Sequence, residues 1–136
     1  MDWLDNYRGK RYRDGGRGPD EYDCWGLVRE VRHVHLGFAL LPEWGDVRHT
    51  QPARFTRAYE QEAANMEVCA PEHGAIAACF RGRICVHVAL VVHLEGRLDV
   101  IETNQHTGFR RSRLRDFESR HLKVIYYRDR ALSEQA

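Results

Sequence analysis

Up to about residue 67 the apolar positions recur at helical spacing, and beyond Pro71 they fall into short extended runs separated by turn residues. Ala75–Phe80, Ile84–Val92, Leu98–Thr103 and Leu122–Tyr127 read as four strands, with Glu95-Gly96 as the hairpin turn between the second and third. Ahead of them, Trp25, Leu27, Val28, Val31 and Val34 form one stripe of a helix over residues 24–36, with Arg29, Arg32 and His33 facing out. Asp23 supplies its N-cap and Gly37 its end. A second helix is predicted over 53–67, and a short one over 2–8 with Trp3, Leu4 and Tyr7 on one side. The run from Asp14 to Asp20 holds three glycines and a proline and is read as a loop. Helices followed by an antiparallel meander make the expected class α+β, in a single domain over residues 1–136.

Composition narrows the functions open to such a domain. Lys and Arg number 21 against 20 Asp and Glu, a formal net charge of +1, so no global field recommends nucleic acid or an anionic membrane as partner. No apolar run approaches the roughly 18 residues of a membrane span, and the opening Met1–Asp5 is not a signal peptide. The expected product is a soluble protein made in a cytoplasm. Its eight histidines do not form a ligand set. His33 and His35 sit two apart on a helix, and His87 and His93 are about 20 Å apart along a strand, so no metal is expected. The basic run Phe109–Arg115 is followed at once by Asp116 and Glu118 and is read as a solvated or partner-contacting face.

Of four cysteines, without any CxxC spacing, Cys79 and Cys85 fall in apolar strands and are expected to be core thiols. Cys24 falls in the first turn of a helix, where free N–H groups and the macrodipole favour a thiolate. His87 is its candidate partner. Strict alternation puts Ile84, Val86, Val88, Leu90 and Val92 on one face and Cys85, His87, Ala89 and Val91 on the other, leaving space beside His87 for a helix start. An imidazole so placed takes the thiol proton, the thiolate attacks a carbonyl, and the imidazolium protonates the leaving amine.

The block from Tyr12 through Gly15-Gly16 to Asp23-Cys24-Trp25-Gly26 resembles the nucleophile motif of NlpC/P60 cysteine peptidases. Gly74-Ala75-Ile76 is similar to that family's Gly-Asp strand, His87-Val88-Ala89 to its His-Val-Gly strand, and Ile101-Glu102-Thr103 to its third motif. With Trp25 and Leu40-Leu41-Pro42, the chain looks like the short phage tail-assembly branch. The resemblance implies a papain-like α+β fold, Cys24 as nucleophile, His87 as base, and Asp23 and Tyr12 in support, the Tyr12 hydroxyl near the thiolate. It implies a peptidoglycan stem peptide as substrate, cut beside D-glutamate, no cofactor, other tail-tip proteins as partners, and a place in the virion tail tip or the host cytoplasm. The Cys24 N–H, free at a helix start, can serve as an oxyanion donor.

Three departures accompany the resemblance. Glu102 stands where the family usually has histidine; a carboxylate can orient the His87 ring, and Asn104, which the hairpin register sets opposite His87, is the alternative. Ala75 replaces the usual aspartate. No wall-binding module accompanies the domain, so targeting is expected to come from elsewhere. A structural tail-tip component with a masked or vestigial Cys-His site is the competing reading, and an amidase or acyltransferase a third.

Overall fold

The computed structural model describes residues 2–42 and 52–130. Six strands form one antiparallel sheet: β3 (Met66–Cys69), β4 (Ile76–Arg81), β5 (Ile84–Leu94), β6 (Arg97–Asn104), β7 (Gly108–Arg113) and β8 (Lys123–Asp129), in the order β3-β8-β4-β5-β6-β7. Three of the four expected strands, β4, β5 and β6, form the expected meander, whereas the fourth, β8, returns to pair with β4 and not with β6. Two two-residue strands, β1 (Arg11–Tyr12) and β2 (Glu21–Tyr22), pair in parallel beside it. The α+β expectation therefore holds at the level of a mixed helix and antiparallel-sheet fold. β3, β7 and the short helix α4 (Leu114–Ser119) were not among the predicted elements.

The Glu95-Gly96 turn forms as expected. Leu94 pairs with Arg97, and both turn residues have positive φ, 53° and 81°, as a type I′ hairpin requires. The predicted Phe109–Arg115 basic face is largely strand β7, and Arg111 is committed internally, donating to the buried Asp99 and to Glu95. Burial alone would raise the Asp99 carboxyl, but hydrogen bonds and charges of Arg111 and Arg97 outweigh it and hold the group below the usual range.

Helices α1 (Asp2–Asp5), α2 (Cys24–Glu30) and α3 (Pro52–Ala63) cover one face of the sheet. Leu4, Leu27, Val28, Val31 and Phe55 pack there against Ile76, Ala78, Val88, Leu90, Val92 and Ile101. On the opposite face, Phe117 of α4 packs on Ala75, Ala77, Cys79, Ala89, Val91 and Val100. The large strand residues thus meet α2 and α3, and the small ones leave room for Phe117.

The helix over 24–36 changes character midway. After Glu30 it continues as a π-turn, Val31–His35, with Leu36 N–H donating to the Val31 carbonyl. A π-turn holds more than 3.6 residues and rotates the face that follows. Arg32, expected outside, stands four residues after Val28 and seven after Trp25 on their buried side and is 1% exposed, while Val34, within the π-turn and expected inside, is 63% exposed. Arg32 donates through Nε to the Gly74 carbonyl (2.9 Å) and through Nη2 to Asp129 (2.9 Å), and its guanidinium lies over the Phe38 ring. It ties the helix to the sheet.

Candidate active site

Cys24 is fixed by its neighbours before its chemistry is considered. Asp23 caps α2, its Oδ1 accepting from Gly26 N–H (2.7 Å), while its Oδ2 accepts from Gly15 N–H (3.2 Å) and from Arg17 Nη1 (2.7 Å). The Asp23 N–H in turn donates to the Gly16 carbonyl (3.0 Å). That carbonyl presses on the helix so closely that a Cβ at residue 26 would meet it at 2.2 Å, and a Cβ at residue 16 would meet the Glu21 carbonyl at 2.8 Å. Both glycines are thus required by a close backbone approach, Gly26 to the Gly16 carbonyl and Gly16 to the carbonyls of Glu21 and Arg13.

This contact delivers Cys24 to a gap in the sheet. The β5–β6 ladder runs from Leu94↔Arg97 to Leu90↔Ile101 and stops. Because Val91 N–H donates to Ala75 on β4, the antiparallel alternation turns the Val88 N–H toward β6, past the end of that ladder. The Val88 and Trp25 N–H groups face the Cys24 sulfur instead. Yet the thiol is only 1% exposed. Burial pushes its pKa far above the usual thiol value and the Asp23 charge adds to this, outweighing the two N–H groups. Tyr12 lies within electrostatic reach of the same sulfur: burial, then the charges at Cys24 and Asp23, drive its hydroxyl pKa upward.

His87 belongs to a second group. Its Nε2 bonds Glu102 Oε1 at 2.8 Å. Since an ionised carboxylate only accepts, Nε2 carries the proton of this bond and Nδ1 points away from Glu102. Glu102 Oε2 accepts from Arg120 Nη2 at 2.8 Å, and the His121 ring stacks on His87 with centroids 6.0 Å apart. Burial alone would raise the Glu102 carboxyl; the hydrogen bond and charge of His87, with those of Arg120, hold it below the usual range. Asn104, the alternative partner, is engaged elsewhere. Its Oδ1 caps the β6–β7 turn, accepting from the His106 and Thr107 N–H groups at 2.9 and 3.0 Å.

Two expectations about β5 need correction. Strict alternation fails at a β-bulge: Cys79 pairs with His87 but Phe80 with Cys85, so Val86 is the extra residue. Cys85 therefore shares the α2 face with Val88, not the face of His87. And the face carrying His87, Ala89 and Val91 is covered by α4, whereas α2 lies on the other side. Cys24 and His87 thus meet β5 at adjoining residues from opposite sides, and among the described residues no hydrogen bond joins them.

Beside Asp23, Trp25 and Val88 an apolar cleft opens between α3 and the sheet, lined also by Phe55, Tyr59 and Tyr127. Its volume of about 50 Å³ admits a few waters, not a peptide. No cluster of three or more metal-ligating side chains occurs among the described residues, and no described helix is long and apolar enough to cross a membrane. Sequence reasoning did not find Arg120 or His121. They reach Glu102 and His87 only through the placement of α4, 18 residues beyond Glu102 in the case of Arg120, and no spacing in the chain signals that. Against protein-family models and curated protein sequences the chain has no match.

Proposed function

We propose that the chain is a cysteine peptidase of the NlpC/P60 type, with a papain-like arrangement, acting on peptidoglycan stem peptides during phage tail-mediated entry, and that its site is closed in this conformation. The observation that carries the reading is the approach of two prepared groups to one point of β5. Cys24 stands at a capped helix start against the Val88 N–H, and His87, one residue earlier, has its ring held by Glu102.

In the working conformer, His87 Nδ1 comes within about 3.2 Å of the sulfur and takes its proton. The thiolate attacks the scissile carbonyl to give a tetrahedral intermediate whose oxyanion is met by the Cys24 N–H. The imidazolium, stabilised by Glu102, then protonates the departing amine. Water, deprotonated by the same imidazole, hydrolyses the thioester and restores the thiol. Purified protein should release product from muropeptides, and Cys24→Ala should not; equal turnover by the two proteins would remove the catalytic claim.

The burial of Cys24 and the lack of a bond to His87 favour a second reading, a structural tail-tip component with a masked or vestigial site. Alkylation of Cys24 against pH separates the two. Reaction well below pH 7 supports an activated thiol in an opening site, and reaction only near or above about pH 8.5 supports the vestigial one.

A further inference from the structure

The carboxylate that holds His87 is itself held. Glu102 is 3% exposed, and each of its oxygens has one charged or ring partner: Oε1 bonds His87 Nε2, and Oε2 accepts from Arg120 Nη2, both at 2.8 Å. The same Arg120 nitrogen donates to Ser112 Oγ (3.1 Å) on β7, and the guanidinium lies 6.0 Å from the centre of the Phe117 ring. The arginine thus spans α4, β7 and β6 at their common edge.

We propose that Arg120 is a positioning residue for the His87–Glu102 pair, holding the far carboxylate oxygen so that the near one stays aimed at the imidazole, and offsetting the carboxylate's charge. The proposal rests on the reading of His87 as a base. A lone buried carboxylate would hold the imidazole protonated at neutral pH, where it accepts no proton from a thiol. With Arg120 on its other oxygen, Glu102 orients the ring while part of its charge is offset.

The groups facing His87 are few. Glu102 comes from β6, Cys79 lies directly across on β4, Arg120 and His121 follow α4, and Arg110 stands opposite Glu102 on β7. Among them Glu102 favours the protonated ring, whereas Arg120 and a protonated His121 oppose it. Burial, then the charge of His87, already lowers the His121 pKa, so at neutral pH Arg120 is the cation that balances Glu102.

The test is an NMR titration of the His87 ring in the full-length protein, assigned against His87→Gln. Arg120→Met keeps the stem that packs near Phe117 and removes the charge; it should raise the His87 pKa by roughly one unit. Arg120→Lys, which retains the charge, should keep it near the native value, and Glu102→Gln should lower it. If Arg120 served packing alone, Arg120→Met would leave the titration within about 0.2 unit of native, and that outcome overturns the proposal. Should Arg120→Met not fold, Arg120→Gln, a neutral donor to Glu102, carries the same expectation. Failure of the peptidase reading appears separately, as a native protein without turnover whose His87 titration still responds to Arg120.

Discussion

Replacing Gly26 by alanine sets two physical effects against each other and gives a sign that only the tertiary contact predicts. Within α2, helix propensity alone makes Gly26→Ala stabilising by about 0.5–1 kcal/mol. The added Cβ, however, would lie 2.2 Å from the Gly16 carbonyl oxygen, and relieving this to 3.4 Å separates the helix start from the loop by about 1.2 Å. That displacement stretches the Asp23 N–H bond to Gly16, now 3.0 Å, and disturbs the Asp23 side chain that caps the helix at 2.7 Å. Overpacking costs about 1–3 kcal/mol, and a weakened hydrogen bond and cap about 1 kcal/mol each. After the propensity gain, the expected net loss is about 2–4 kcal/mol. Urea unfolding followed by tryptophan fluorescence measures it, since Trp25 adjoins the site; an unchanged m-value shows that the midpoint shift is one of stability. Gly16→Ala should also destabilise, because its Cβ would meet the Glu21 and Arg13 carbonyls at 2.8 and 2.9 Å. A Gly26→Ala midpoint equal to or above that of the native protein would refute the account of the motif as a packing contact.

Three further outcomes follow from the same structure. Arg32→Met should destabilise the fold by about 1–3 kcal/mol in the same urea assay, since the buried Gly74 carbonyl loses its donor while Asp129, being partly exposed, recovers water; no loss would mean that the arginine does not tie the helix to the sheet. Glu102 has a folded pKa depressed below its unfolded value of about 4.3, so the stability it contributes is present above that value and is lost as pH falls through the lower, folded one. Stability measured from pH 6 to pH 3 should therefore decline less steeply in Glu102→Gln than in the native protein. In brief alkylation at pH 7.5 read by peptide mass spectrometry, Cys69, which is partly exposed, should label before Cys79 and Cys85, which are fully buried; the opposite order would contradict their burial.

The elements that could be read along the chain are those whose signal is local. Asp23 caps α2 because its side chain reaches an N–H three residues on, and Glu95-Gly96 turns because two successive residues must take positive φ. Glu102 as the partner of His87 comes from the resemblance to a third motif. The hairpin register alone sets Asn104 opposite His87 and Glu102 two positions away on the same face, and the ladder stops before either pairing, so the register does not decide between them. What escaped depends on events that break a period. The π-turn at Val31–His35 interrupts the helical period that placed Val34 inside, and the bulge at Val86 moves Cys85 to the other face. Neither leaves a mark in the apolar pattern: Arg32 is held by Gly74 and Asp129, far off in sequence, and the bulge is a slip of register against Cys79 and Phe80 on the neighbouring strand. β7 escaped because four of the seven residues 109–115 are arginines, a composition that reads as a solvated surface until Asp99 is found beneath Arg111.

The bulge also governs the relation between the two reactive groups. Cys85, before it, lies on the α2 face; were β5 regular from there, His87 two residues on would share that face with Cys24 and lose Glu102. The extra residue shifts the phase, so His87 joins Glu102 and Arg120 on the α4 face and Val88 alone meets the sulfur. Thiol and imidazole are therefore placed by different parts of the molecule: the first by the Gly16–Gly26 contact and the Asp23 cap, the second by the bulge and by β6. A working pair needs both to present to the same side at the end of the β5–β6 ladder, where β5 has left β6 but stays paired with β4 through Val88↔Ala78 and His87↔Cys79. Bringing thiol and imidazole to one side therefore requires the bulge at Val86 to move, a change confined to β5 that leaves the capped helix and the Leu90–Leu94 part of the ladder in place.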